Sequence, residues 1–176
     1  QQVDIVALSH GESGLFSYGN MVLRSESPVG GDAHYWSGGG FRVETLDGDA
    51  GALESPVDPI IRTLGDVVID AYSGSSLHIL AGGSVDIGTA VIDTPDVGNL
   101  GGDFLREMVT LSDGTTVEID GSVQPTLDVR AGVDPEALGT PPLELITGFN
   151  IATDAFFGNA SVTEGSSSAN ITFEDI

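Results

Sequence analysis

The chain has 176 residues, 40% of them hydrophobic, which is one domain's length and enough to bury a core. Its 27 acidic and five basic residues give a net charge of -22, a surface that repels phosphate backbones and anionic lipid and attracts cations such as Ca²⁺. There is no cysteine, which excludes disulfides, thiol nucleophiles and Cys-ligated zinc, and no apolar run approaches the ~20 residues of a membrane-spanning helix.

Taken in order, the chain reads as short strands closed by Gly, Asp, Pro or Ser. Residues 3–8 and 21–24 are the first two, and 34–37 is a short aromatic strand inside a Gly-rich loop. Strand-like runs then crowd together at 41–46, 67–72, 77–81, 85–87 and 90–92. Alternation with a two-residue period, as in Ser76-Leu77-His78-Ile79-Leu80 and Ser84-Val85-Asp86-Ile87, marks half-buried strands rather than helices. Residues 93–107 are an excursion that leaves the sheet and returns. Ser112-Asp113-Gly114 between the runs 108–111 and 115–120 predicts a tight hairpin turn. Strands follow at 126–130 and 143–149, separated by the Pro/Gly-rich loop 131–142. A Gly/Ser/Asn-rich tail, 150–176, closes with the strand-like 169–173. The division expected is a β-domain over 1–149 and a tail over 150–176 whose last strand pairs with a neighbouring subunit.

The fold class is all-β. The arginines at 24, 42, 62, 106 and 130 are spaced by 18, 20, 44 and 24, near one or two multiples of about twenty residues, which suits one turn of a β-solenoid. A β-sandwich also yields short strands separated by turns, so the spacing leaves both architectures open.

Whole phrases carry a resemblance. Residues 21–48 (MVLRSESPVGGDAHYWSGGGFRVETLDG), 55–67, 74–92 and 109–135, followed by Gly139-Thr140-Pro141, together look like a stretch of the large cyanobacterial exoproteins of the filamentous-haemagglutinin type. The resemblance spans roughly 20–148 in the same order; the family's amino-terminal secretion domain is not recognisable in residues 1–20. It implies a right-handed parallel β-helix with short turns and one or two longer excursions, exported by two-partner secretion. It also implies an internal segment of an extracellular, cell-surface structural or adhesive protein, and no catalytic residues.

Site candidates are few. Asp47 and Asp49 flank Gly48 in a turn and are the candidate Ca²⁺ ligands, although the remaining ligands of an EF-hand are missing. Asp93, Asp96 and Asp103 fall in the long excursion. Gly11-Glu12-Ser13-Gly14 stops short of a nucleophile elbow because position 15 is Leu; with three histidines, His10, His34 and His78, this argues against a serine hydrolase. His78, between Leu77 and Ile79, faces away from both and reads as an outward or corner-packed residue. Tyr35-Trp36, Phe41, Phe149, Phe156 and Phe157 are the aromatic groups for packing or for sugar binding. Asn159 and Asn170 each open an N-glycan acceptor triplet, which in a bacterial protein reads as a chance occurrence in a polar tail.

The expected function is a self-assembling fibre or sheath segment, with a carbohydrate-binding adhesin module as the alternative and a polysaccharide-active enzyme as the weakest reading. Val3, Ile5 and Val6 at one end and Ile171 and Phe173 at the other are the candidate self-assembly residues, since solenoid ends leave unpaired edges. The partner is then a second copy or a surface glycan, not nucleic acid or a membrane interior. No cofactor is expected beyond Ca²⁺.

Overall fold

The computed structural model describes residues 14–30, 34–57, 59–95, 106–133 and 168–176. These are all-β, with no helix among them. The strands are β1 (Gly14–Ser17), β2 (Met21–Arg24), β3 (Val29–Gly30), β4 (His34–Ser37), β5 (Phe41–Glu44), β6 (Ala52–Ser55) and β7 (Ile60–Thr63). They continue with β8 (Val67–Ser75), β9 (Leu77–Ala81), β10 (Val85–Thr94), β11 (Arg106–Thr110), β12 (Thr116–Asp120), β13 (Leu127–Arg130) and β14 (Ile171–Asp175).

Two sheets are parallel throughout. The first runs β1-β4-β7-β9-β13 and the second β2-β5-β8-β10-β14, with β3 on β6 and β6 on the second half of β8. Each sheet therefore adds strands in chain order, and the chain alternates between the two sheets to build successive tiers. An antiparallel sandwich pairs its strands the other way. Among the described residues the only antiparallel strand pair is β11 with β12, closed by the Asp113-Gly114 turn that the sequence predicts.

Alternation puts the same kind of residue at the same height in each tier. Leu15, Tyr35, Ile61, Ile79 and Val129 are register partners in the first sheet. Met21, Phe41, Val67, Val85 and Ile171 are partners in the second. Val29 and Leu53, then Tyr72 and Ala90, extend the interior further along the tier. These rows, Ile171 apart, form or pack against the hydrophobic core together with Val43, Ile69, Leu77, Ala81 and Ile87, and their burial is the main favourable term in folding. From Leu15 to Tyr35 is 20 residues, to Ile61 another 26 and to Ile79 another 18. The last step, Ile79 to Val129, is 50 residues, and the arginines do not mark these steps: Arg24 and Arg42 sit at different heights, and only Arg62 and Arg130 share a row. The longer second step is explained by residues 45–50, which loop out between β5 and β6. The loop closes on itself through the Glu44–Ala50 bridge and Thr45 N–H to Asp49 O at 2.9 Å.

One corner is built from glycine. Gly39 N–H donates to Gly19 O at 3.1 Å, Gly65 N–H to Gly39 O at 2.8 Å, Gly83 N–H to Gly65 O at 3.0 Å and Gly132 N–H to Gly83 O at 3.0 Å. Each tier thus rests on the backbone of the one before. A Cβ on Gly65 would lie 2.8 Å from Gly40 N and 2.9 Å from Gly39 C, so no larger residue fits without moving the corner. The following position reinforces the ladder: Asn20 Oδ1 accepts from Gly40 N–H at 2.9 Å, and Asp66 Oδ1 from Ser84 N–H at 2.8 Å.

The expected strands at 3–8 and 143–149 lie outside the described residues. β1, β3, β6 and β7 were not anticipated. The expected strands 85–87 and 90–92 are one continuous β10, with Gly88 inside it. Gly65→Ala is expected to destabilise the fold by about 1–3 kcal/mol through overpacking, whereas Gly30→Ala, with nothing within 4 Å of the added Cβ, leaves stability near wild type. Thermal unfolding of the two variants beside wild type checks this.

Candidate functional site

Strands β7 and β9 are buried at every position, so the middle of the first sheet is covered on both faces. The face turned away from the core is where this chain concentrates buried charge. Register places Ile60, His78 and Asp128 in one row, and Phe16, Trp36, Arg62, Leu80 and Arg130 in the next. His78 does face away from Leu77 and Ile79, yet it is 1% exposed: away from the core is not toward solvent here.

Asp128 is the hub. Its carboxylate accepts from Arg130 Nε at 2.9 Å and Nη2 at 2.6 Å, a two-toothed ion pair between residues two apart on one strand. His78 Nδ1 lies 3.7 Å from Asp128 Oδ2 across β9 and β13. Burial alone raises a carboxyl's pKa, but the neighbouring His78 and the hydrogen-bonded, positively charged Arg130 outweigh it and hold Asp128 below the ordinary aspartate value of 3.8. Arg62 is buried in the same face at 2% exposure. The sequence carries part of this signal, since Asp128 and Arg130 alternate with Leu127 and Val129. What it does not carry is the cover on that face.

A second charged group lies on the outer face of the second sheet. Glu44 Oε2 accepts from Arg24 Nε at 2.7 Å and Oε1 from Arg42 Nε at 3.1 Å, and the Arg24 hydrogen bond is the first cause of its lowered pKa. Arg24 is Glu44's register partner, so this is a cross-strand pair at the edge of the stack.

Asp47 and Asp49 sit exposed on the protruding 45–50 loop. Among the described residues no group of three or more His, Cys, Asp or Glu could hold a metal ion. Asp93 is exposed near the end of β10, while Asp96, Asp103, His10, Phe149, Phe156, Phe157 and Asn159 lie outside the described residues. Tyr35 and Phe41 belong to the core, their rings 5.2 Å apart. Trp36 packs at 5.0 Å on Phe16, which carries the exposed Tyr18 edge-on at 4.6 Å.

Of the self-assembly residues, Val3, Ile5 and Val6 lie outside the described residues. Ile171 and Phe173 are on β14, which pairs with β10 of its own chain, Ile171 beside Val85 and Phe173 beside Ile87. The tail's last strand therefore joins the second sheet, and one of its edges faces away from β10. Ile171 occupies an interior row whose other members, Phe41, Val67 and Val85, are at most 1% exposed; it is 46% exposed itself.

Asp128→Asn removes the charge that Arg130 is buried against and is expected to cost about 3 kcal/mol. Because the folded carboxyl titrates below 3.8, its contribution is complete well above that pH and is lost as pH falls through the lowered folded value. Denaturant unfolding from neutral to acidic pH should show the wild-type advantage over Asp128→Asn at neutral pH and its loss in acid. Compared with known proteins, the chain matches no family model, no curated protein and no solved structure.

Proposed function

We propose that this chain is a structural or adhesive segment of an extracellular surface protein, folded as a right-handed parallel β-helix and joining its neighbours through the ends of the coil stack. The observation that carries the proposal is the uncovered interior row at β14: an apolar position buried in every inner coil is open at this end. Parallel order in both sheets supports the helix, and right-handed crossover between parallel strands is the sterically favoured hand. The resemblance of residues 20–148 to filamentous-haemagglutinin-type exoproteins is what favours secretion and a cell-surface setting in this reading. Catalysis is no part of the reading, because His78, Asp128 and Arg130 are buried in packing.

Coil ends of this kind recruit a strand through main-chain hydrogen bonds, with alternate side chains giving selectivity. A net charge of -22 opposes close approach of copies, so screening should promote assembly. Electron microscopy of the purified chain is expected to show filaments whose length grows with ionic strength; isolated particles at every salt and protein concentration would refute the proposal. The same grids with a chelator read whether Ca²⁺ bridges the acidic surface.

A carbohydrate-binding adhesin module is the second reading, favoured by Tyr18, 79% exposed on an aromatic base of Phe16 and Trp36. Aromatic faces of this kind take sugar rings. A glycan array should then give hits that Tyr18→Ala abolishes.

A further inference from the structure

Among the described residues the second sheet ends on β2 and β14, which are chemically different and match. β14 reads Ile171, Thr172, Phe173, Glu174, Asp175 and closes on two acids, of which Glu174 shares a face with Thr172. β2, at the other end of the same sheet, reads Met21, Val22, Leu23, Arg24. Register through the stack runs Met21, Phe41, Val67, Val85, Ile171, so Met21 and Ile171 stand at one height.

We propose that copies of this chain stack head to tail, with β2 of one copy pairing in parallel with β14 of the next, at the height each strand already holds. The proposal rests on the self-assembly reading above and specifies its joint. In that register Met21 meets Ile171, Leu23 meets Phe173 and Val22 meets Thr172, so both interior rows continue across the joint. In the first sheet the same step sets Leu15 against Val129, both half-buried at their ends of the stack.

The charges select this arrangement. At the same register step Arg24 meets Glu174 of the adjoining copy. Within the chain Arg24 already pairs with the acid one strand along, Glu44, at 2.7 Å, and its side chain is still 60% exposed. At the joint it lies between two carboxylates, Glu44 on one side and Glu174 on the other. The corner offers the same continuation: Asn170 N–H donates to Ser84 Oγ at 3.1 Å as Ser84 N–H does to Asp66 Oδ1, and Asn20 stands at the equivalent position of the opposite end. A two-fold joint between two β14 strands would be antiparallel and, at full overlap, would set Glu174 against Thr172 and Asp175 against Ile171, leaving both acids without an arginine. A joint between unlike ends does not close on itself and makes a filament.

Charge reversal on the full chain tests the joint. Sedimentation velocity and electron microscopy at roughly physiological salt compare wild type, Glu174→Arg, Arg24→Glu and an equimolar mixture of the two variants. Wild type is expected to form filaments, and each variant alone to associate about tenfold more weakly or worse. The mixture is expected to recover filaments, because every joint of an alternating copolymer again sets an acid against an arginine. Variants that assemble like wild type, or a mixture no better than its components, overturn this register and leave the self-assembly reading standing. Wild type that stays monomeric overturns both. Circular dichroism reports whether Arg24→Glu, which disturbs Glu44, still folds. If it does not, Glu174→Arg decides alone: association about tenfold weaker than wild type at the same salt supports the joint, and undiminished association overturns it.

Discussion

The rest of the structure depends on one repeated hydrogen bond, from the amide of a corner glycine to the carbonyl of the corner glycine one tier earlier. It runs from Gly39 to Gly19, Gly65 to Gly39, Gly83 to Gly65 and Gly132 to Gly83. Because these bonds fix the height of each tier, they also fix which side chain lies over which. A strand slipped by one residue would turn its interior row outward, so register and burial enforce one another. The absence of a side chain at Gly65 and Gly83 is what lets the backbones approach this closely. Serine and threonine just before the corner add to the lock: the Ser37 hydroxyl donates to Gly19 O at 2.8 Å, and the Thr63 hydroxyl to Gly39 O.

Much of this was legible in the sequence, and the reason it was is local. Apolar alternation at 77–81 and 85–87, and Gly or Asp at their ends, are short-range signals of strand and turn. The Asp113-Gly114 hairpin is of the same kind. The unforeseen strands failed for two different reasons. Val29–Gly30 is too short to show a period, while Ile60–Thr63 is buried on both faces and so does not alternate. A run of four buried residues is a tertiary fact, created by whatever the sheet packs against.

The charged cluster shows the same limit. Asp128 and Arg130 can be read as neighbours on one strand face from the letters TLDVR alone. That His78 joins them depends on β13 lying beside β9, 50 positions away in the chain, with Asp128 opposite His78. Sequence spacing gives no hint of that distance, because residues 95–126 intervene. Nor does it reveal that the face is dry, which turns an ordinary surface ion pair into one with a real desolvation cost. In the Arg24–Glu44–Arg42 group the carboxylate is buried but both arginines reach solvent, which screens the pairs, so they add little to folding.

Between β10 and β13 the chain makes a detour that includes the β11–β12 hairpin, and β13 then resumes at the height where the next tier requires it. The 45–50 loop does the same on a smaller scale, β6 returning to pair with β8. Entropy of closing a loop rises only slowly with its length. The stack is therefore indifferent to what is spliced in at these two exits, provided the ends come back to register. Foreign peptides grafted at Asp47-Gly48-Asp49 or at the Asp113-Gly114 tip should be displayed at fixed positions along the tiers while the core beneath them stays as it is.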